Sequence, residues 1–171
     1  MAATLDWGPS RNKTTTWFDP SITATARATM SGLEFLRALR DGNLPAPPIA
    51  SLLNFRPLEV EVGRVVFVGA PDESAYNPIG LVHGGWVCTL ADTVAACAVH
   101  STLGVGVGYT SIDLDLKYLR PLTSDSGELR ATGEVIKPGR RVSVATAVVH
   151  DQRGKLVATA TSSCLLMPTD R

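Results

Sequence analysis

A run of 16 residues, 84–99, carries a single charge and sets the limits on the fold of this chain. Its residue types, with Gly104 beyond its end, predict one long apolar helix from residue 84 to about residue 103. The segments that follow are typical of strands and are joined by short turns. They therefore predict an antiparallel sheet with the helix packed against one face, which is an α+β fold.

Five segments have the patterns of strands. They are the valine-rich segment 58–70 before the helix, and 109–119, 128–137, 141–149 and 155–167 after it. In the second of these, the alternation places one apolar set on a shared face, namely Ile112, Leu114, Leu116 and Tyr118.

Residues 1–42 are predicted to form an N-terminal extension with one helix, and residues 43–171 the main domain. Ser31 and Glu34 have the spacing of a capping box at the start of that helix, and leucines recur after it at nearly helical spacing. The proline-rich segment 44–48 predicts an extended linker.

The composition excludes several classes of partner. Sixteen Lys and Arg balance sixteen Asp and Glu, so the chain has no basic excess with which to bind nucleic acid. The apolar run is shorter than the ~20 residues that span a bilayer, and the first residues do not resemble a signal peptide. The three cysteines match neither a disulfide framework nor a metal motif. We therefore expect a cytoplasmic protein with no membrane partner and no metal.

Asp92 is the charged residue of the apolar run. Aspartate is a poor residue for a helix interior, and an unpaired buried carboxylate is costly. Such a group is a candidate base or nucleophile. The alternative is an exposed stripe on the helix, but that stripe would also hold Thr89, Ala96 and Val99, which is not a solvent-facing set.

Two glycines, Gly84 and Gly85, start this helix where Ser, Thr, Asp or Asn would cap it better. Glycine lets a ligand approach the free N–H groups at the positive end of the helix dipole. Those groups could hold a carbonyl oxygen that becomes an anion during a reaction. The alternative is a tight turn that needs a positive φ.

The spacing of Gly85 and Asp92 predicts a dimer. Seven residues are two turns, so both groups share a face of the helix but lie ~10 Å apart along its axis. A base and an oxyanion donor must both come within ~3 Å of the reacting atoms. Two antiparallel copies of the helix around a two-fold axis can achieve this, each amide end facing the other carboxylate.

The pattern Asn77-x5-His83-Gly84-Gly85-x6-Asp92 resembles the hotdog-fold acyl-CoA thioesterases of the PaaI type. The resemblance covers roughly residues 42–167. It implies a hotdog fold, in which an antiparallel sheet wraps around a long central helix, with active sites at the interface of a homodimer or of a homotetramer built from two dimers. It also implies hydrolysis of an aryl- or medium-chain acyl-CoA without a cofactor, coenzyme A being part of the substrate.

The resemblance also implies roles for individual residues. Asp92 would be the general base or nucleophile, and Gly84 would be the backbone donor to the thioester carbonyl, with help from the Gly85 amide. Asn77 would position water or thioester, and His83 either supports it or is structural. Ser111 of the partner chain would orient the carboxylate or water.

Further residues are candidates for substrate binding. Thr110 is the register alternative to Ser111. The cations that could meet the phosphates of coenzyme A are Arg120, Lys137, Arg140 and Arg141, although the last three could equally form a solvated basic turn. The extension helix, the proline-rich linker and Trp86 either line an acyl pocket or simply pack.

The sequence is also compatible with two other functions. One is a non-catalytic hotdog protein that binds or senses acyl-CoA, but such a protein has no need of a lone acid in an apolar helix. The other is a hotdog dehydratase, for which we would expect a His paired with Asp or Glu on a strand-helix unit, and the sequence has no such pair.

Overall fold

The computed structural model describes residues 6–168. Its helices are α1 (Pro20–Thr29), α2 (Gly32–Arg40), α3 (Pro48–Leu53) and α4 (Gly84–His100). Its strands are β1 (Phe55–Glu61), β2 (Arg64–Gly69), β3 (Val107–Ser111), β4 (Asp115–Tyr118), β5 (Leu129–Lys137), β6 (Val142–His150) and β7 (Leu156–Pro168).

The strands form one antiparallel sheet in the order β1-β2-β5-β6-β7-β3, with β4 also paired to β7. The long helix α4 lies across one face of this sheet and contacts β2, β5, β6 and β7. This confirms the predicted α+β architecture with a central helix. Within residues 6–168, no helix combines the length and the apolar character needed to cross a membrane.

Small residues let α4 approach the sheet closely. The buried face of β6 carries Ser143, Ala145 and Ala147, all at most 2% exposed. On β5, a Cβ atom at Gly133 would lie 2.2 Å from the carbonyl oxygen of Val94 in α4, so only glycine fits there. The helix backbone is therefore held against the middle of the sheet.

The predicted strand 58–70 is wrong in one respect, because the structure has the hairpin β1–β2 in its place. Val62 and Gly63 form its turn, and Gly63 has a φ of +75°, which favours glycine. The usual sequence signal of such a turn is Asn-Gly or Asp-Gly. Here Val62 precedes Gly63 and continues the apolar strand pattern, so the turn has no such signal.

The predicted strand 109–119 is likewise two strands, β3 and β4. Asp113 interrupts it, since its Oδ1 accepts a hydrogen bond from the Ser163 N–H at 2.7 Å. Its carbonyl oxygen accepts another from the Ser162 hydroxyl at 2.8 Å. These side-chain bonds replace part of the ladder with β7.

The prediction of one helix in the extension is also wrong, because α1 precedes α2. Asp19 caps α1 and Pro20 occupies its first position, both of which are start signals. No residue of α1 is buried, however, so it lacks the apolar periodicity of a packed helix. The predicted capping box of Ser31 and Glu34 is present at α2.

The second helix of the extension packs directly on the end of α4. The Gly32 N–H donates to the Leu103 carbonyl at 2.9 Å. A Cβ atom at Gly32 would lie 1.7 Å from the carbonyl oxygen of His100, so a larger residue would displace the helix. Phe35 and Leu36 are buried in the core shared with the sheet. The extension is thus part of the packed interior.

Candidate active site

The start of α4 offers one backbone amide to a ligand. His83 is the N-cap residue, and its Nδ1 accepts a hydrogen bond from the Gly85 N–H at 2.8 Å. An Nδ1 that accepts a hydrogen bond carries no proton of its own, so the N–H group of a neutral imidazole ring is at Nε2. The Gly85 amide is therefore occupied, whereas the Gly84 N–H has no hydrogen-bond partner among residues 6–168.

A close approach explains the glycine at position 84. Neither Gly84 nor Gly85 has a positive φ, so the tight-turn alternative is wrong. The Tyr118 hydroxyl instead donates to the Gly84 carbonyl at 3.0 Å, and a Cβ at Gly84 would lie 2.9 Å from the Tyr118 ring. Tyr118 is not among the predicted site residues, because the sequence alternation places it on an apolar strand face, yet it is 56% exposed.

Three of the predicted site residues, Asn77, Gly84 and Arg120, line one cleft of about 300 Å³, which we call the helix-start cleft. The Asn77 Oδ1 accepts hydrogen bonds from the N–H groups of Ile79 and Leu81, at 3.1 and 3.3 Å. In the described part of the chain its NH₂ group has no partner. Asn77 thus shapes the loop and presents a donor within the cleft.

Asp92 lies two turns further along α4. Its Oδ1 is completely buried and has no hydrogen-bond partner among the residues described. A buried unsatisfied polar group costs about 1–3 kcal/mol. Of the stripe that it shares, Ala96 and Val99 are buried and Thr89 is half-buried like Asp92 itself, so none of its residues is fully exposed. Packing alone therefore gives no reason for this carboxylate.

The groups around Asp92 are neutral at pH 7. Burial raises the pKa of the Cys97 thiol to about 12 and that of the Tyr109 hydroxyl well above its usual range, and the negative charge of Asp92 acts in the same direction. Burial also raises the pKa of Cys164, which a hydrogen bond with Ser111 opposes. No cation within residues 6–168 forms an ion pair with Asp92.

Ser111 and Thr110 lie in β3, at the edge of the sheet. Ser111 forms a hydrogen bond with the Cys164 thiol, whose pKa the charge of Asp92 in the same chain also raises. Thr110 is exposed, and its hydroxyl approaches the Ser111 carbonyl at 3.5 Å. Contributions of Ser111 and Thr110 from a partner chain stay a prediction.

The remaining predicted cations lie at the other end of the helix. The β5–β6 hairpin joins the end of α4 through Gly63, whose N–H donates to the Ser101 hydroxyl and whose carbonyl accepts from Val135. Helix α4 has 17 residues and is therefore about 25 Å long, so the end that contacts the hairpin lies about 25 Å from Gly84. The hairpin cations are exposed and form no ion pair in the described structure: Lys137, Arg140 and Arg141.

One chain thus holds the predicted site in separate parts. Asp92 is not among the residues that line the helix-start cleft, and neither are the hairpin cations. Among the residues that the structure covers, no three His, Cys, Asp or Glu side chains lie together as a metal site requires.

The family described as the Thioesterase superfamily matches residues 79–158, a segment that includes His83, Gly84 and Asp92. Among solved structures, a putative thioesterase related to phenylacetic acid degradation, from Ralstonia eutropha, is 31% identical with a TM-score of 0.69. The match covers 76% of this chain and 98% of that one. The sheet and its central helix define a hotdog fold, and this likeness confirms the resemblance to the PaaI type. The chain belongs to the thioesterase superfamily.

Two further relatives extend this comparison. A Streptococcus mutans protein, whose structure was solved bound to acetyl CoA, is 25% identical with a TM-score of 0.62, and the match covers 69% of this chain and 92% of that one. A putative esterase of Halobacterium salinarum is 43% identical over 68 residues, which are 39% of this chain. This chain spans 43% to 61% of the length of three curated relatives, that esterase included.

Proposed function

We propose that this protein is an acyl-CoA thioesterase, which hydrolyses an aryl- or medium-chain acyl-CoA to the free acid and coenzyme A. The buried, unpaired Oδ1 of Asp92 carries the proposal. A protein that only binds acyl-CoA has no use for this costly oxygen, whereas a hydrolase needs a carboxylate that is free to accept a proton from water. The relative bound to acetyl CoA supports a coenzyme A thioester as the substrate.

In the proposed mechanism, the Gly84 N–H donates to the thioester carbonyl oxygen. The start of α4 favours the negative charge that develops there, because the helix dipole is positive at this end. The NH₂ group of Asn77, in the same cleft, would orient the thioester or the attacking water. Asp92 would take the proton from that water as a general base; the C–S bond of the tetrahedral intermediate would then break, and the proton would go to the leaving coenzyme A thiolate. Alternatively, Asp92 would attack the carbonyl directly as a nucleophile, which expels the thiolate and leaves a mixed anhydride that water hydrolyses to the free acid.

We further propose that the two halves of each site come from two chains. The outer side of β3 is an open sheet edge, and Ile112 beside it is 55% exposed. A second copy of β3 could continue the sheet there and bring the two α4 helices antiparallel. The Asp92 of one chain would then face the Gly84 of the other, in a dimer or in a tetramer of two dimers.

The same arrangement would give the hairpin cations a role. In an antiparallel pair of α4 helices, the end of one helix lies beside the start of the other. The β5–β6 hairpin of one chain would therefore lie at the helix-start cleft of its partner. Arg120, which lines the cleft itself, and Lys137, Arg140 and Arg141 from the hairpin could then meet the phosphates of coenzyme A.

Thiol release from a panel of acyl-CoAs tests this proposal. We expect the wild type to hydrolyse at least one of them, and Asp92→Asn to lose at least ~10²-fold in kcat, because general-base catalysis contributes about that much. Asp115→Asn is the matched control, since Asp115 is exposed and its ion pair within residues 6–168 is with Lys117; it should stay within about twofold. If no thioester is hydrolysed, the protein is not a thioesterase; if Asp92→Asn keeps its rate, Asp92 is not catalytic.

A further inference from the structure

A second cavity, of about 180 Å³, lies beneath the N-terminal extension, and we call it the extension cavity. Helix α2, the linker before α3, strands β1 to β3 and helix α4 all contribute to its wall. Its main lining groups are Phe35, Leu39, Phe55, Phe67, Thr93 and Tyr109. Protein interiors are close-packed, and an apolar void of this size is costly to leave empty. Packing of the extension thus leaves an apolar recess of this size unfilled.

The wall of this cavity is aromatic. The His100 ring lies between Phe35 and Tyr109, with ring centroids 5.4 and 4.8 Å away. Phe55 and Phe67 meet edge to face at 6.3 Å. Aromatic rings pair favourably in these geometries, so the wall offers matching surfaces to another ring.

The titratable side chains that are buried in the wall of the extension cavity are neutral at neutral pH. Burial lowers the pKa of His100 to about 4 and raises that of Cys97 to about 12, so both side chains are neutral. Tyr109 keeps its proton for the same reason. Arg56 is the charged residue of the lining, but 62% of its side chain is exposed and it pairs with Glu128 at 3.8 Å. The cavity thus suits a neutral hydrocarbon group.

The extension cavity lies beside the part of α4 that carries the carboxylate proposed to react. Thr93, which lines it, follows Asp92 directly in α4. The charge of Asp92 acts on Cys97 and Tyr109 in the cavity wall. The side chains of Asp92 and Thr93 leave the helix about 100° apart, so an acyl group that passes around α4 from Asp92 would enter the cavity.

We propose that the extension cavity takes the acyl group of the substrate and selects a single aromatic ring or a hydrocarbon chain of similar size; this rests on the proposed thioesterase function. A cavity of about 150 Å³ lined by apolar side chains is large enough to bind benzene. The extension cavity is slightly larger, so it fits one ring or a chain of about six carbons and excludes a long fatty chain. The N-terminal extension, as its roof, sets the substrate specificity.

Two substitutions of one residue test the proposal in opposite directions. Leu39 on α2 lines the cavity and is only half-buried, so both changes should fold. Leu39→Trp should fill the cavity and lower kcat/KM for benzoyl-CoA by about tenfold or more, with acetyl-CoA unaffected. Leu39→Ala should raise kcat/KM for palmitoyl-CoA relative to benzoyl-CoA by about tenfold. Matched controls at Leu52, which is 50% exposed and outside this cavity, should change neither ratio.

A binding measurement separates this inference from the proposed function. Benzyl-CoA, a thioether that cannot be hydrolysed, should bind Asp92→Asn, and Leu39→Trp in that background should weaken it about tenfold. Binding that depends on Leu39, with no hydrolysis of any thioester, would support the proposed role of the cavity and contradict the proposed thioesterase activity. Hydrolysis with an acyl preference that neither Leu39 variant changes would support the thioesterase activity and contradict the proposed role of the cavity.

Discussion

His100 is an ionisable residue that the fold keeps uncharged. It closes α4, is 3% exposed, and lies against the rings of Phe35 and Tyr109. Burial lowers its pKa to about 4, and the nearby positive charge of Arg27 acts in the same direction. In an unfolded chain a histidine has a pKa of about 6.5. Below that pH the unfolded state therefore binds a proton that the folded state does not.

Stability should consequently fall as the pH falls from about 6.5 to 4, by roughly 3 kcal/mol from His100 alone. Denaturant unfolding at several pH values measures this, and His100→Gln should remove most of the slope. The control His150→Gln, at a half-buried position on β6, should retain it. Asp72, whose pKa is lowered to about 2 chiefly by hydrogen bonds from Lys13 and Ser74, loses its contribution only below this window. A slope that persists in His100→Gln would contradict the prediction.

The residues at the site differ in how far sequence could predict them. Asp92 and Gly84 could be found because each residue type conflicts with its place, an acid in an apolar helix and a glycine where a cap belongs. Tyr118 could not, since its role depends on a contact with Gly84 across 34 residues of chain. The bond from the Gly85 N–H to His83 likewise depends on one side-chain rotamer, which no pattern encodes.

Among the elements, those with a strong period were predicted and those without one were not. Helix α4 and strands β5 to β7 follow uninterrupted patterns bounded by turn residues. Helix α1 has start signals but no buried face, and the β1–β2 turn is hidden in a valine-rich run. The extension cavity forms where three helices and three strands meet, so only the tertiary structure could show it.

The contact between α2 and α4 provides a prediction about stability. In Gly32→Ala the new Cβ would meet the His100 carbonyl, a backbone atom that cannot move away cheaply. We expect a loss of about 3 kcal/mol, the upper end of what overpacking usually costs. Gly104→Ala is the control, because no atom lies within 4 Å of its Cβ position and its φ is not positive. Equal urea midpoints for the two variants would show that the contact is not rigid.

Assembly of the whole molecule can be tested by mixing two inactive variants. If each site combines Asp92 of one chain with Gly84 of the other, a mixed dimer of Asp92→Asn and Gly84→Val has one fully native site. Random pairing should then restore about a quarter of the wild-type activity per chain, after co-expression or joint refolding. Each variant alone should be nearly inactive. A mixture that stays inactive would mean that both groups of a site belong to one chain.

The packing of the extension has a consequence for how such proteins diversify. The part matched to the family, residues 79–158, begins after α2, β1 and β2, yet Phe35 and Leu36 of α2 are buried in the same core. The extension therefore cannot simply be transferred to another hotdog domain, because its packing requires a complementary surface on the central helix of that domain. Substitutions in α2 would change the volume of the extension cavity next to Thr93, while Asp92 and Gly84 stay unchanged. Related proteins could then differ in the acyl group that they accept and still share the same reaction.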